Sequence, residues 1–296
     1  MPKLIRWLGV VLGVLAGLLL ASTGALYALT EARLNRLYTI RPEPLVIPAQ
    51  VDLTRRDWPY TLVAFCKDCH GPDLAGQVLE DDLLMGTFAS SNLTAGAGGI
   101  GGVYTDQDWI RALRHGVRPT GKPLVGMPSN IFNRLSDNDL AILITLVRAQ
   151  PAVDHVVPAT RLGPLVRLML VTGSIGPDAL SAEVIDHDAQ RPDAPPPGVT
   201  VEYGRYMGVV CATCHGADMS GGPDAGEGMN LTPGGTTKDW TEGEFVQTLR
   251  TGIAPDGRTL DPEQMPWNDI QNLSDEQLRA IWLYLRSLPA VQTEHR

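Results

Sequence analysis

Apolar and polar positions alternate on two scales along this chain. Trp7 to Leu29 is an uncharged run of 23 residues. As a helix rising about 1.5 Å per residue it would reach about 34 Å, enough to cross a hydrocarbon core of about 30 Å. Beyond it, apolar residues recur at helical spacing behind capping signatures. Thr105-x-x-Asp108 precedes Trp109 and Leu113; Ser136-x-x-Asp139 precedes Leu140, Ile144 and Val147; Thr241-x-x-Glu244 opens a further helix. Ser274-x-x-Gln277 precedes Leu278, Ile281, Trp282 and Leu285. Pro151 and Pro289 stop the helices opened at Ser136 and Ser274. Further helices are expected around Pro59–Cys69 and Tyr203–Cys214, and no strand pattern is persuasive. The fold class expected is all-α.

The pattern occurs twice. Asn92-Leu93-Thr94 returns as Asn230-Leu231-Thr232, Leu113-Arg114 as Leu249-Arg250, and Met127-Pro128 as Met265-Pro266. Leu135-Ser136-Asp137 returns as Leu273-Ser274-Asp275, and Pro151-Ala152-Val153 as Pro289-Ala290-Val291. A period this long indicates duplicated domains, since solenoid repeats run about 20–50 residues. The organisation expected is a cytoplasmic tip and anchor at 1–30, a linker at 31–54, one domain at 55–153, a connector at 154–198 and a second domain at 199–296. In the connector, the apolar stretch Leu162–Thr172 is too short to span a bilayer and is expected to pack between the domains. Docking on the membrane or a partner is the alternative.

The four cysteines all fall in two motifs, Cys66-Lys67-Asp68-Cys69-His70 and Cys211-Ala212-Thr213-Cys214-His215. C-x-x-C-H is the attachment signature of c-type haem, in which two thiols form thioethers and the adjacent histidine binds the iron. The rivals are a redox dithiol, which has no need of the histidine, and a zinc site, which needs its Cys pairs close together. For the sixth iron ligand, Met127 and Met265 are the candidates. They hold matching places in the repeat, each is followed by Pro, and a thioether is a soft ligand that raises the potential. A lone Met would be read as core filler, but recurrence in both copies reverses that. The other candidates lack a counterpart: His115 aligns with Thr251, and Met85, Met219 and Met229 are unpaired. His155 and His187 lie in the connector and His295 at the C-terminus. His115 is expected at the surface or a haem edge. The set expected is two c-type haems, attached at Cys66, Cys69, Cys211 and Cys214, with His70, Met127, His215 and Met265 as axial ligands.

With these motifs in place, each copy resembles a class I cytochrome c domain. The succession Asn-Leu-Thr, Trp109 or Trp240, Leu-Arg, Met-Pro, Leu-Ser-Asp is similar to the cytochrome c subunits of membrane-bound alcohol, aldehyde and gluconate dehydrogenases. The likeness covers about 55–153 and 199–296. Two haem domains stand here where many such subunits carry three, and Ala-Gln-Pro replaces Ser-Leu-Pro at the end of the first copy. The resemblance implies two tandem helical haem domains behind one transmembrane helix. It leaves open whether Trp109, Trp240, Arg114 and Arg250 pack near the haems or their propionates.

Lys3 and Arg6 before the apolar run imply a cytoplasmic N-terminus and haem domains on the periplasmic side of a bacterial-type inner membrane. A cleaved signal peptide is the rival, but its apolar core would be about 7–15 residues and a cleavage site should follow. Gly9, Gly13 and Gly17 form a small-residue stripe that suits a partner transmembrane helix. Net charge is −9, which points away from nucleic acid. It is uneven: residues 199–296 carry 7 Lys and Arg against 14 Asp and Glu, and residues 55–153 carry 9 against 10. That asymmetry would let the second half dock on a basic partner. Gly96-Ala97-Gly98-Gly99-Ile100-Gly101 fits a dinucleotide fingerprint but follows no strand, so it is read as a flexible loop over the first haem. Asn92 and Asn230 lie in N-x-T sequons and are read as structural. The function these features imply is a non-enzymatic electron carrier in a respiratory chain, between a redox donor and acceptor, freestanding or as a subunit of a dehydrogenase or respiratory complex. A dihaem enzyme such as a peroxidase, with one open haem site, is the alternative.

Overall fold

The computed structural model describes residues 2–55, 58–191, 193–221, 228–262 and 264–292. The chain is mostly helical. The first helix, α1 (Pro2–Leu34), is long and apolar enough to cross a membrane, and its Lys3–Gly24 surface is exposed throughout. It runs past the expected end at residue 30. Thr30 Oγ1 bonds back to Leu26 O, and Asn35 Nδ2 closes the last turn on Glu31 O. The polar end of α1 is thereby part of the globular body.

The linker that follows is strapped onto the first half. Tyr38 N donates to Gly121 O, Glu43 exchanges two bonds with the Gln107 side chain, and Thr145 Oγ1 donates to Pro48 O. The first half then contains α2 (Leu62–His70), α3 (Asp106–His115), α4 (Ser129–Phe132) and α5 (Asp137–Arg148). Thr105 and Asp108 form a reciprocal capping box. Ser136 caps Asp139 N, but Asp139 does not return the bond. Its carboxylate accepts from Trp58 Nε1 at 3.0 Å and from Tyr206 Oη of the second half at 2.5 Å. Tyr206 Oη also accepts from Ser136 N.

The all-α expectation needs one correction. Residues 78–89 form an antiparallel hairpin, β1 (Val78–Asp82) and β2 (Gly86–Ala89), extended by β3 (Arg161–Leu162) from the connector. The hairpin is the extra loop of the first copy. Every residue of β1 is exposed, so no alternation marks it in the sequence.

The connector also differs from expectation. Its helix α6 (Pro164–Thr172) packs against the end of α1, not between the halves. Arg167 bonds Thr30 Oγ1 and Glu31 Oε1, and Arg33 reaches Glu183 and Leu170 O. A 3₁₀ segment at Pro177–Glu183 follows and lies on α4, with Ser181 Oγ donating to Met127 O.

The second half contains α7 (Val201–Met207), a 3₁₀ turn Gly208–Cys211, α8 (Ala212–His215), α9 (Glu242–Thr251), α10 (Trp267–Ile270) and α11 (Asp275–Ser287). Thr241–Glu244 and Ser274–Gln277 both form full capping boxes. The α7–α11 crossing is the most extensive helix contact and is so close at Gly204 that a Cβ there would overlap Ala280 O. Buried apolar residues of both halves, from Leu62, Leu113 and Ile144 to Leu249, Leu278 and Leu285, form one continuous cluster.

Beside that core lies a buried charged cluster. Arg114 and His115 are 1% exposed at their side chains, and both bond Glu43, at 2.5 and 2.6 Å; Arg114 also pairs with Asp137. His115 Nδ1 lies 3.0 Å from His187 Nδ1. His115 is thus an interior strut, contrary to its expected surface or haem-edge position. Burial works to raise the Glu43 carboxyl, but hydrogen bonds from His115 and Arg114 outweigh it and hold it below its ordinary 4.5. Its stabilising contribution is therefore present above pH 4.5 and is lost as pH falls below that value. Glu43→Ala takes an ion-pair partner from buried Arg114 and a hydrogen-bond partner from buried His115, and should cost about 3–5 kcal/mol in a denaturant titration at pH 7. A loss near that of an exposed ion pair, below about 1 kcal/mol, would contradict the assignment.

Candidate haem-binding site

Each C-x-x-C-H motif ends a helix at a glycine, Gly71 or Gly216, with φ near +80°. The backbone then repeats itself bond for bond. Leu74 N bonds Gly71 O and Met219 N bonds Gly216 O; both Leu74 and Met219 are buried in the left-handed region, at φ 59° and 62°. Gly76 N returns to His70 O and Gly221 N to His215 O. Met219 is therefore the structural partner of Leu74, a core residue.

This turn fixes the histidines. His70 Nδ1 lies 2.7 Å from Ser91 O and His215 Nδ1 lies 2.6 Å from Met229 O. A carbonyl can only accept, so Nδ1 carries the proton in both rings and Nε2 keeps its lone pair. Burial lowers both histidine pKa values, which keeps the rings neutral. A neutral imidazole with one nitrogen held by a backbone carbonyl is the form that binds a metal. Ser90 adds a bond from Oγ to Cys69 O.

Burial pushes the Cys66 thiol up to about 12, with the neighbouring Cys69 and Asp68 adding to it; burial, then Cys214, takes Cys211 to about 12. Cys69 and Cys214 are raised as well, chiefly by burial. Thiols held protonated in this way do not suit a reactive dithiol. Among the described residues no three His, Cys, Asp or Glu side chains converge as a metal cluster.

A cavity of about 670 Å³ opens on the first motif. Its lining includes Cys66, Cys69, His70 and Met127, with Trp109, Leu113, Phe132 and Leu143 among its apolar walls. A pocket of about 300–1,000 Å³ with mostly apolar walls fits a cofactor. Cys214, Val210 and Asp269 of the second half line the same cavity, so the two motifs meet across one seam. Burial, and then the nearby Asp269, raises the Asp68 carboxyl; burial likewise raises Asp269, with Lys67 opposing. Cys211, His215 and Met265 are not in this lining. Cys211 and Met265 pack against the core, and His215 is 8% exposed.

The other expectations sort clearly. Trp109 is 2% exposed, lines the cavity, and its indole N–H is buried with no hydrogen-bond partner. An orphaned donor on the wall of a haem-sized cavity fits an acceptor on a bound group. Trp240 is half-buried against the core. Arg114 is committed to Glu43 and Asp137, and Arg250 to Gln271 O and Asp275. Asn92 and Asn230 are buried and tie their loops to Val153 O and Val291 O while accepting from the Thr94 and Thr232 amides. They are structural, as expected. The 96–101 loop is pinned against Val153–His155 and bonded back to Asn92 and Thr94, with Ile100 on the cavity wall. It is a packed wall and not a flexible cover. His155 Nδ1 bonds Ala75 O. His295 lies outside the described residues.

Residues 203–285 match the family of cytochrome c oxidase, cbb3-type, subunit III. The cytochrome subunit of fructose dehydrogenase from Gluconobacter japonicus is 29% identical over 262 residues, covering 77% of this chain and 51% of that protein. A diheme cytochrome c-type protein of Cereibacter sphaeroides is 27% identical over 261 residues, covering 77% of this chain and 83% of its own length. One of the subunits of nicotinate dehydrogenase from Pseudomonas putida is 33% identical over 121 residues, 33% of this chain and 10% of that protein. The chain thus spans about half the length of the fructose dehydrogenase cytochrome that it matches. Motifs, fold and likenesses resemble those of c-type cytochromes, the cytochrome subunits of dehydrogenases among them. Electron transport with bound haem iron is the work this class performs.

Trp109→Phe keeps an aromatic, though smaller, side chain and removes the donor. Loss of a hydrogen bond to an anionic acceptor on the haem should lower the potential of one centre by the equivalent of about 1 kcal/mol in a redox titration. An unchanged potential would mean the indole has no such partner.

Proposed function

We propose that this chain is a membrane-anchored dihaem cytochrome c that passes electrons between redox partners. Residues 55–153 and 199–296 are read as tandem cytochrome c domains on the periplasmic side of a bacterial-type inner membrane, held there by α1. Cys66 and Cys69 attach one haem and Cys211 and Cys214 the other. His70 with Met127, and His215 with Met265, would hold the two irons. Bound haem iron would supply reversible one-electron exchange between Fe(II) and Fe(III).

The chain's own residues set the conditions for that exchange. The carbonyls of Ser91 and Met229 hold the two rings in the tautomer that leaves Nε2 free. The Met127 thioether lines the same cavity as His70 and, as a neutral soft ligand, would favour the reduced state. Trp109, Leu113, Phe132 and Leu143 exclude water from the first centre. Cys214 on the first cavity's wall favours a short path between the centres. The observation that carries this reading is the duplicated turn, in which both histidines donate Nδ1–H to a loop carbonyl. The relatives named as dehydrogenase subunits favour a dehydrogenase as electron donor. The Gly9, Gly13 and Gly17 stripe lies open on α1, where a partner helix would seat closely.

Carbon monoxide binding to the reduced protein tests the ligand set. The parent chain should bind none, whereas Met127→Ala and Met265→Ala should each bind one CO per chain. Rapid stoichiometric binding by the parent would overturn the carrier reading in favour of an enzyme with one open haem site, such as a peroxidase.

A further inference from the structure

An apolar face sits where α1 leaves its apolar stretch. On α6, Gly163, Val166, Arg167 and Leu170 turn inward, while Leu165, Leu168 and Val171 stay 40%, 48% and 41% exposed. The tip of the β1–β2 hairpin adds Leu83 and Leu84, which are 94% and 61% exposed. The two pieces are one surface. Leu165 N donates to Leu84 O, and Gly163 N donates to Met85 O. The tip itself is held by the Asp82 carboxylate, which accepts from the amides of Leu84 and Met85. A soluble face would not concentrate five large apolar side chains in this way.

We propose that this face lies in the bilayer interface, so that α6 and the hairpin tip form a second, monotopic contact beside the α1 span. The proposal rests on the reading of α1 as a membrane anchor. The level of the face argues for lipid as its occupant. The Arg167 guanidinium lies 4.3 Å from the Tyr27 ring centre and bonds Thr30 and Glu31, while Arg33 bonds Leu170 O. α6 is therefore held beside the last turns of α1, where Leu29 is still 55% exposed. Helices that lie in an interface present an apolar side to the acyl boundary and cations to the headgroups. A cleft of about 650 Å³ between α1, α6 and the 118–125 loop supplies those cations as the exposed Arg118, Lys122 and Arg161. Glu80 and Asp81 on exposed β1 confine the hairpin's contact to its tip. The consequence for function is orientation. A second contact fixes the rotation of the haem-binding body about α1 and so fixes which face a diffusing partner meets.

The test uses the full haem-loaded chain in phosphatidylcholine–phosphatidylglycerol vesicles, with single nitroxides introduced through Leu84→Cys, Leu168→Cys, Leu18→Cys or Glu276→Cys. The unsubstituted chain, carried through the same labelling, sets the background. Collision with oxygen is compared with collision with a water-soluble nickel chelate. Labels at 84 and 168 should show an oxygen-to-chelate ratio severalfold above that at 276 and approaching that at 18. A label at 18 in lipid with labels at 84 and 168 open to the chelate would overturn the docking alone. Labels at 84 and 168 shielded from both reagents would overturn it in favour of a protein partner. A label at 18 open to the chelate would overturn the anchor and the docking together.

Discussion

The hydrogen bond from each histidine Nδ1 to a loop carbonyl is the constraint around which the rest is arranged. It forces the chain after each C-x-x-C-H motif to turn at a glycine, pass through a left-handed residue and bring Ser91 or Met229 back over the ring. That loop must itself be held, and buried Asn92 and Asn230 hold it by bonding both the loop and the backbone after the last helix of each half. The last helices, α5 and α11, are thereby tied to the motif they cover. Local chemistry at one histidine thus reaches the boundaries of each half.

Much of this was legible in the sequence, because repeated residues carry repeated jobs. The C-x-x-C-H pairs, the Asn-Leu-Thr pairs and the capping boxes recur, and three of the four boxes close with both bonds. The exception, Ser136–Asp139, is informative. Asp139 gives up its capping role to accept from Trp58 and Tyr206, a bond across the halves that no local pattern encodes. The hairpin escaped notice because an exposed five-residue strand has no alternation to show. Arg114 was open to a place at the haem edge from its position in the repeat, yet its partner Glu43 lies 71 residues away in the linker. Such pairings are properties of the folded chain, and Thr251, standing where the first half has His115, shows that the second half does without one of the struts.

The connector and linker do more than join. Linker residues 38–48 and connector residues 155–187 both wrap the first half, through Gly121, Gln107, His115 and Met127. The end of α1 is bound into the same wrapping by Arg33 and Arg167. The first half is therefore rigidly coupled to the long apolar helix, while the second is reached through the shared core and the Tyr206–Asp139 bond.

The central claim is that both motifs hold haem in one electron-transfer chain. The most direct measurement is covalent haem per chain, by alkaline pyridine spectrum and intact mass, on full-length protein matured with a c-type assembly system. Two haems per chain are expected, falling to one in either Cys66→Ala/Cys69→Ala or Cys211→Ala/Cys214→Ala. One haem in the parent chain, or none, would contradict the claim.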